Sequence, residues 1–157
     1  LQQQIDETID KSYLPINIGV YRAGFATSQT AYEAAVTELF ESFDRWENML
    51  SQQRYLCGDK LTEADLCMFV TLYRFDSVYH GLFKCNLRRI IDYPNLWNYL
   101  KDLYQRPEFK ATCNFDHIKR GYYTSMTDLN PNRIVPKGPI VNFDERHDRD
   151  RQETKTK

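Results

Sequence analysis

The chain has 157 residues, 41% hydrophobic and 27% charged, with a formal net charge of -1 and a pI near 6.3. That is enough for one globular domain with a real core and too little for two large ones. The near-neutral balance excludes nucleic acid as a partner, because phosphate binding needs a basic face, and no apolar run approaches the roughly 18 residues of a membrane span. Leu1 to Asp10 is polar and acidic, unlike a signal peptide. The chain has no initiator Met and opens in the style of a helix under way, so it is expected to be a fragment of a longer protein. Tyr13 to Ala26 carries Pro15, Gly19 and Gly24 and is expected to be a loop. Residues 1–26 thus read as an opening segment and loop.

The strongest periodic element follows. Tyr32, Val36, Leu39, Phe43, Trp46 and Leu50 recur at steps of 4, 3, 4, 3 and 4, which is one face of a helix. Thr27 or Ser28 is the expected cap, and a run from there to Gln52 spans roughly 37 Å at about 1.5 Å per residue. Leu61-Thr62-Glu63-Ala64-Asp65-Leu66 then has nearly every signal of a helix start. Thr62 can accept from the N–H of Asp65, and Asp65 can reach back to the N–H of Thr62, a reciprocal capping box. Leu61 and Leu66 sit where a hydrophobic staple would close, and the early acidic residues suit the helix dipole. The helix from Glu63 to about Ser77 is apolar nearly all round and is expected at the centre of the bundle. Arg74 and Asp76 near its end are candidates either for a partly buried pairing network with the cap region or for a solvated last turn.

A short helix is expected around Leu87, Ile90 and Ile91. Pro94 starts another, with Leu96, Tyr99, Leu100, Leu103 and Tyr104 on its core face, and Pro107 stops it. Asn114 can cap a last helix through about Tyr123, carrying Phe115, Ile118 and Tyr122. These elements make residues 27–126 a helical bundle domain. Residues 127–141, with Pro131, Pro136, Gly138 and Pro139, read as extended coil packing on it. Residues 142–157 alternate acidic and basic with almost no hydrophobe and are expected to be a disordered tail. Strand signals are weak throughout, Val20 to Phe25 being the one candidate, so the fold class is an all-α bundle.

Chemistry is scarce in the residues alone. Gly-rich phosphate loops, zinc motifs and nucleophile elbows are absent, so no metal site is expected. Cys57, Cys67, Cys85 and Cys113 form no C-x-x-C pair and read as free thiols of a reducing, cytoplasmic setting. Cys67, inside an apolar pattern, reads as a buried small hydrophobe. Cys85, beside Lys84 and near Arg88 and Arg89, is the one candidate for a reactive thiol. His117, beside Asp116 at a helix start, reads as structural. Eleven tyrosines stand out. Those at Tyr13, Tyr21, Tyr122 and Tyr123 fall around irregular segments. They either fill the rim of a core or recognise a phenolic ring by stacking and hydrogen bonding.

Tyr55-Leu56-Cys57-Gly58-Asp59-Lys60-Leu61-Thr62-Glu63-Ala64-Asp65 resembles the second half of a glutathione transferase, whose helical domain carries such a capped central helix. Narrower signatures are Gly19-Val20-Tyr21-Arg22-Ala23-Gly24-Phe25-Ala26, Arg74-Phe75-Asp76-Ser77-Val78-Tyr79, Asp92-Tyr93-Pro94-Asn95-Leu96, Asp116-His117-Ile118-Lys119 and Ile134-Val135-Pro136-Lys137-Gly138-Pro139. Together, over about Ile16 to Asp148, they resemble the Xi class, the glutathionyl-hydroquinone reductases, near the Omega class.

The resemblance implies a glutathione-transferase C-terminal-like helical bundle that supplies substrate binding and dimerisation to a two-domain enzyme. Glutathione would be the co-substrate, bound mainly by a thioredoxin-like domain with a Cys-Pro nucleophile. The substrate would be a small aromatic glutathione conjugate, and the assembly a homodimer. By motif, Tyr21 and Tyr122 fall at the quinol oxygens, with Tyr123 a weaker candidate. This chain contains neither the thioredoxin-like domain nor a Cys-Pro motif, so no catalytic residue is expected in it and the fragment alone is expected to be inactive. Alternatives are an Omega-like thioltransferase or dehydroascorbate-type reductase domain, and a non-catalytic protein-interaction module of the same fold.

Overall fold

The computed structural model describes residues 1–156, with side chains through Gln152. Among the described residues it is helical, with a single isolated bridge between Tyr55 and Gly58. Seven α-helices occur in chain order: α1 (Gln2–Ser12), α2 (Gly19–Gly24), α3 (Gln29–Leu50), α4 (Glu63–Arg74), α5 (Pro94–Tyr104), α6 (Pro107–Lys110) and α7 (Phe115–Ser125).

The long helix α3 is built as its spacing requires. Ser28 caps it, accepting from Ala31 N at 3.2 Å, and Val36, Leu39, Phe43, Trp46 and Leu50 are buried along one face. Its Glu47 serves a neighbour, accepting from Asn95 N at 2.9 Å and Leu96 N at 2.8 Å, so the N-terminus of α5 is capped from another helix. Asp76 plays the same part for the short 3₁₀ turn Ile90–Asp92, accepting from Ile90 N at 2.6 Å and Ile91 N at 3.2 Å. Asp76 therefore does not pair with the start of α4, and Arg74 folds back onto Val70 O at 2.6 Å.

The start of α4 is organised around one carboxylate. Asp65 is fully buried, and its Oδ2 accepts from Thr62 N at 2.8 Å, with the Thr62 side chain over the Asp65 N–H to complete the box. The Thr62 hydroxyl also donates to Oδ2 at 3.1 Å. Oδ1 accepts from Leu56 N at 3.0 Å and from the Tyr99 hydroxyl at 2.7 Å, which ties the preceding turn and α5 to the same group. Gly58 in that turn has φ +99°, a conformation that suits glycine. Thr62→Ala is expected to lower stability by about 1 kcal/mol, since Asp65 keeps its three other donors. An unchanged urea midpoint would show that the hydroxyl contributes nothing.

Three expectations need correction. Residues 13–26 are not a loop. α1 runs into a wider π-helical segment, Tyr13–Ile18, and on into α2. Pro15 lacks an N–H, and the π segment carries the chain past it without a break. Asn17 pins the segment to α4 by donating to Cys67 O at 2.7 Å and Thr71 Oγ1 at 2.9 Å. Gly24 sits in α2 where a Cβ would collide with the Phe83 ring, and Val20 to Phe25 is no strand. Second, α4 is not apolar-buried all round. Leu66 is 49% and Val70 45% exposed, and Cys67 is half-buried. Third, residues 142–152 are not a loose tail. Phe143 packs on Tyr73, Trp97 and Tyr104, while Gln105 donates to Phe143 O and Glu145 O. Arg149 is fully buried, donating to Leu50 O, Gln53 O and Arg54 O at 2.6–2.8 Å. Net charge concealed Phe143, which packs into an aromatic cluster, and Arg149, which satisfies the last carbonyl of α3 and two just beyond it. Lys157, the last residue of that segment, lies outside the described residues.

Candidate functional site

Tyr21, on α2, and Tyr122, on α7, are separated by about a hundred residues, and their hydroxyls meet at 2.6 Å. A third phenol joins them. Tyr79 Oη lies 3.0 Å from Tyr122 Oη and 3.3 Å from Tyr21 Oη. Tyr79 ends a second π-helical segment, Phe75–Tyr79, which continues α4. Both π segments thus flank the site: one delivers α2 and Tyr21, the other turns Tyr79 inward.

The rings lock one another. Tyr79 meets Tyr122 edge-on at 5.7 Å and 87° and Tyr21 at 5.7 Å and 61°. Phe83, fully buried, lies 5.3 Å from both Tyr79 and Tyr21. Three hydroxyls are therefore gathered at the tip of an aromatic cluster, with Tyr21 and Tyr122 half-buried and Tyr79 buried. Burial raises the Tyr79 hydroxyl well above its ordinary pKa, and its bonds to Tyr122 and Tyr21 add to the effect. Burial also raises Tyr122, with the Tyr21 bond adding to it and the Tyr79 bond opposing it. Protonated phenols are donors, so at neutral pH Tyr122 has an O–H for an acceptor that enters, with buried Tyr79 bonded behind it. An open hollow of about 530 Å³ beside them is lined by Tyr21, Arg74, His117, Gly121 and Tyr122. A second, of about 340 Å³, lies on the Tyr13–Asn17 side and includes Tyr79.

Tyr123 is not brought into this group. Its phenol reaches the Gly81–Leu82 backbone, 2.9 Å from where a Cβ on Gly81 would stand. Cys85 is no nucleophile here: it is fully buried, and burial pushes its thiol up to about 12. His117 lies at the hollow's edge and is exposed. Tyr79 was the residue missed in the sequence. No local period marked it, because the π-helical turn Phe75–Tyr79 shifts the register after α4.

The family described as "Glutathione S-transferase, C-terminal domain" matches residues 29–102. Glutathionyl-hydroquinone reductase YqjG of Escherichia coli (strain K12) is 51% identical over 150 residues, covering 96% of this chain and 46% of that protein. The Xi class glutathione transferase of Natrialba magadii superposes with a TM-score of 0.94 at 53% identity, covering 96% of this chain and 46% of that one. Over residues 29–102 this chain has the glutathione transferase C-terminal domain, and along nearly all of its length it is similar to the corresponding half of Xi-class members. The glutathione-bound structure of YqjG, at 51% identity and a TM-score of 0.93, covers 96% of this chain and 49% of its own. The chain thus spans about half the length of the relatives it matches. Among the described residues no group of His, Cys, Asp or Glu could hold a metal ion, and no helix is long and apolar enough to cross a membrane.

Proposed function

We propose that this chain is the substrate-binding domain of a glutathione-dependent reductase that releases hydroquinones from their glutathionyl conjugates. The observation that carries the reading is the meeting of three phenol hydroxyls within 3.3 Å of one another beside an open hollow. A relative sharing half of the residues is named a glutathionyl-hydroquinone reductase. In this reading, glutathione and the nucleophilic thiol belong to a thioredoxin-like domain outside this chain, and the chain alone transfers no thiol. The protein pairs as a homodimer through its helical domains and works in the cytoplasm, where its four free cysteines stay reduced.

The chemistry follows from charge. A thiolate takes the glutathionyl sulfur off the ring, forming a mixed disulfide. The conjugate reacts as its keto tautomer, in which the sulfur-bearing carbon has taken a proton. The electron pair of the broken C–S bond then passes into the ring as it regains aromaticity and appears as negative charge on the former carbonyl oxygen, which takes up a proton to give hydroquinone. Protonated phenols set beforehand toward that oxygen stabilise the charge as it develops, without reorganising. A second glutathione then releases the mixed disulfide as oxidised glutathione. Tyr21 and Tyr122, half-buried, face the substrate oxygen, while buried Tyr79 orients them from behind.

In the full-length protein, Tyr122→Phe is expected to lower kcat/KM for hydroquinone release by about tenfold or more, with the melting midpoint kept within a few degrees. Glutathione-dependent hydroquinone release, followed by mass spectrometry, is the direct assay. Full activity in Tyr122→Phe would remove that phenol from the site, and absence of hydroquinone release in the unsubstituted protein would favour the Omega-like thioltransferase reading.

A further inference from the structure

The tyrosines account for an oxygen on the ring but not for the charge of the hollow. One cation borders three of the spaces on this side of the bundle. Arg74 lines the hollow beside Tyr21 and Tyr122, the second on the Tyr79 side, and a third of about 260 Å³ between α4 and α6. The other ionisable groups bordering these spaces are unevenly placed. His117 stands only in the first and Glu108 only in the third, away from the phenols. Arg74 spends one N–H on Val70 O at 2.6 Å and makes no ion pair among the described residues. A guanidinium carries five donors, so most of its fork remains for a ligand. Its field reaches the phenols: it works against the upward shift of Tyr122. The chain as a whole is slightly acidic, so this positive hollow is a local feature and not part of a basic surface.

We propose that Arg74 determines specificity in this hollow by pairing with an anionic substituent on the aromatic ligand, so that the site prefers hydroquinones bearing a carboxylate. The inference rests on the reading of the tyrosine hollow as an aromatic site. The tyrosines take the ring hydroxyl, and the guanidinium takes the acidic group beside it, in one or two charge-assisted hydrogen bonds.

Three free quinols separate the possibilities without any thiol chemistry: hydroquinone, 2,5-dihydroxybenzoate and its neutral methyl ester. Equilibrium binding to the full-length protein is measured by titration calorimetry or ligand-observed NMR. The carboxylate is expected to bind about tenfold tighter than the ester, with the advantage shrinking as salt rises. Arg74→Gln is expected to bring the two within about twofold, and Arg74→Lys to keep part of the preference. The comparison of charged with neutral ligand needs no variant, so it stands even if Arg74→Gln folds poorly. Equal binding of carboxylate and ester, or a preference that survives Arg74→Gln, overturns this proposal and leaves the aromatic site intact. Failure of all three quinols to bind overturns the aromatic site, and this proposal with it.

Discussion

Asp65→Ala is expected to lower the unfolding free energy by about 4 kcal/mol, the largest stability loss among single substitutions at the start of α4. One carboxylate with no exposed surface accepts from Leu56 N, Thr62 N, the Thr62 hydroxyl and the Tyr99 hydroxyl. Alanine leaves all four donors facing a void about the size of a carboxyl group. A donor buried without a partner costs about 1–3 kcal/mol, although water entering the void would recover part of that. The partners come from the preceding turn, the helix cap and α5, so the loss uncouples three elements at once. The rank order is the diagnostic. Tyr99→Phe removes one donor and leaves the carboxylate with three, for about 1 kcal/mol. Asp65→Asn keeps one acceptor oxygen but turns an NH2 toward the Thr62 N–H, and falls between. Urea midpoints that placed Asp65→Ala level with Tyr99→Phe would mean that the carboxylate is a local cap and not a junction.

That junction was half legible in the sequence. Thr62 and Asp65 lie three residues apart, a spacing that backbone geometry makes meaningful, so the cap could be read directly. The bonds from Leu56 and Tyr99 could not, because they depend on how the preceding turn folds back and how α5 packs on α4. The long helix α3 was legible for the same local reason, its buried face repeating at helical period. Misreadings arose where tertiary packing overruled local signals. Pro15 and two glycines argue for a loop, yet the chain continues helically because a π segment accommodates the proline and Asn17 fastens it to α4. Composition argued for a disordered end, yet a single buried arginine holds it to three carbonyl groups.

The candidate site divides in the same way. Tyr21 and Tyr122 were named through resemblance to a family, since nothing in their local sequence places one phenol against another. Tyr79 went unnamed because the reading ended α4 at Ser77, two residues short of it. The two π segments explain why local rules fail here. A wider turn shifts the register of every side chain that follows, so the faces of α2 and of the stretch after α4 cannot be projected from a 3.6-residue period.

Gly24→Ala is expected to damage both stability and activity, although alanine is the better helix former. A Cβ at Gly24 would stand 2.6 Å from Cδ1 and 2.8 Å from Cδ2 of Phe83, and closer still to Cγ. Helix propensity favours alanine by up to about 1 kcal/mol, but overlap with the face of a buried ring costs about 1–3 kcal/mol. The ring has nowhere to retreat: it stacks on Tyr79 at 5.3 Å and 27° and meets the edges of Tyr21 and Tyr122 at 5.3 and 6.3 Å. The expected net loss is about 2 kcal/mol, and the displaced Phe83 carries the phenols with it. Hydroquinone release by the full-length protein should fall by about tenfold, since a shift near 1 Å at a positioned donor costs up to about a hundredfold. Phe83→Ala in the Gly24→Ala background removes the ring atoms that collide. The pair should therefore lose less stability than the sum of its parts while turnover stays low, because Tyr79 has then lost its stacking partner. Native stability in Gly24→Ala would mean that α2 can move away from Phe83. Native turnover in a destabilised Gly24→Ala protein would mean that the aromatic cluster does not hold the phenols in place.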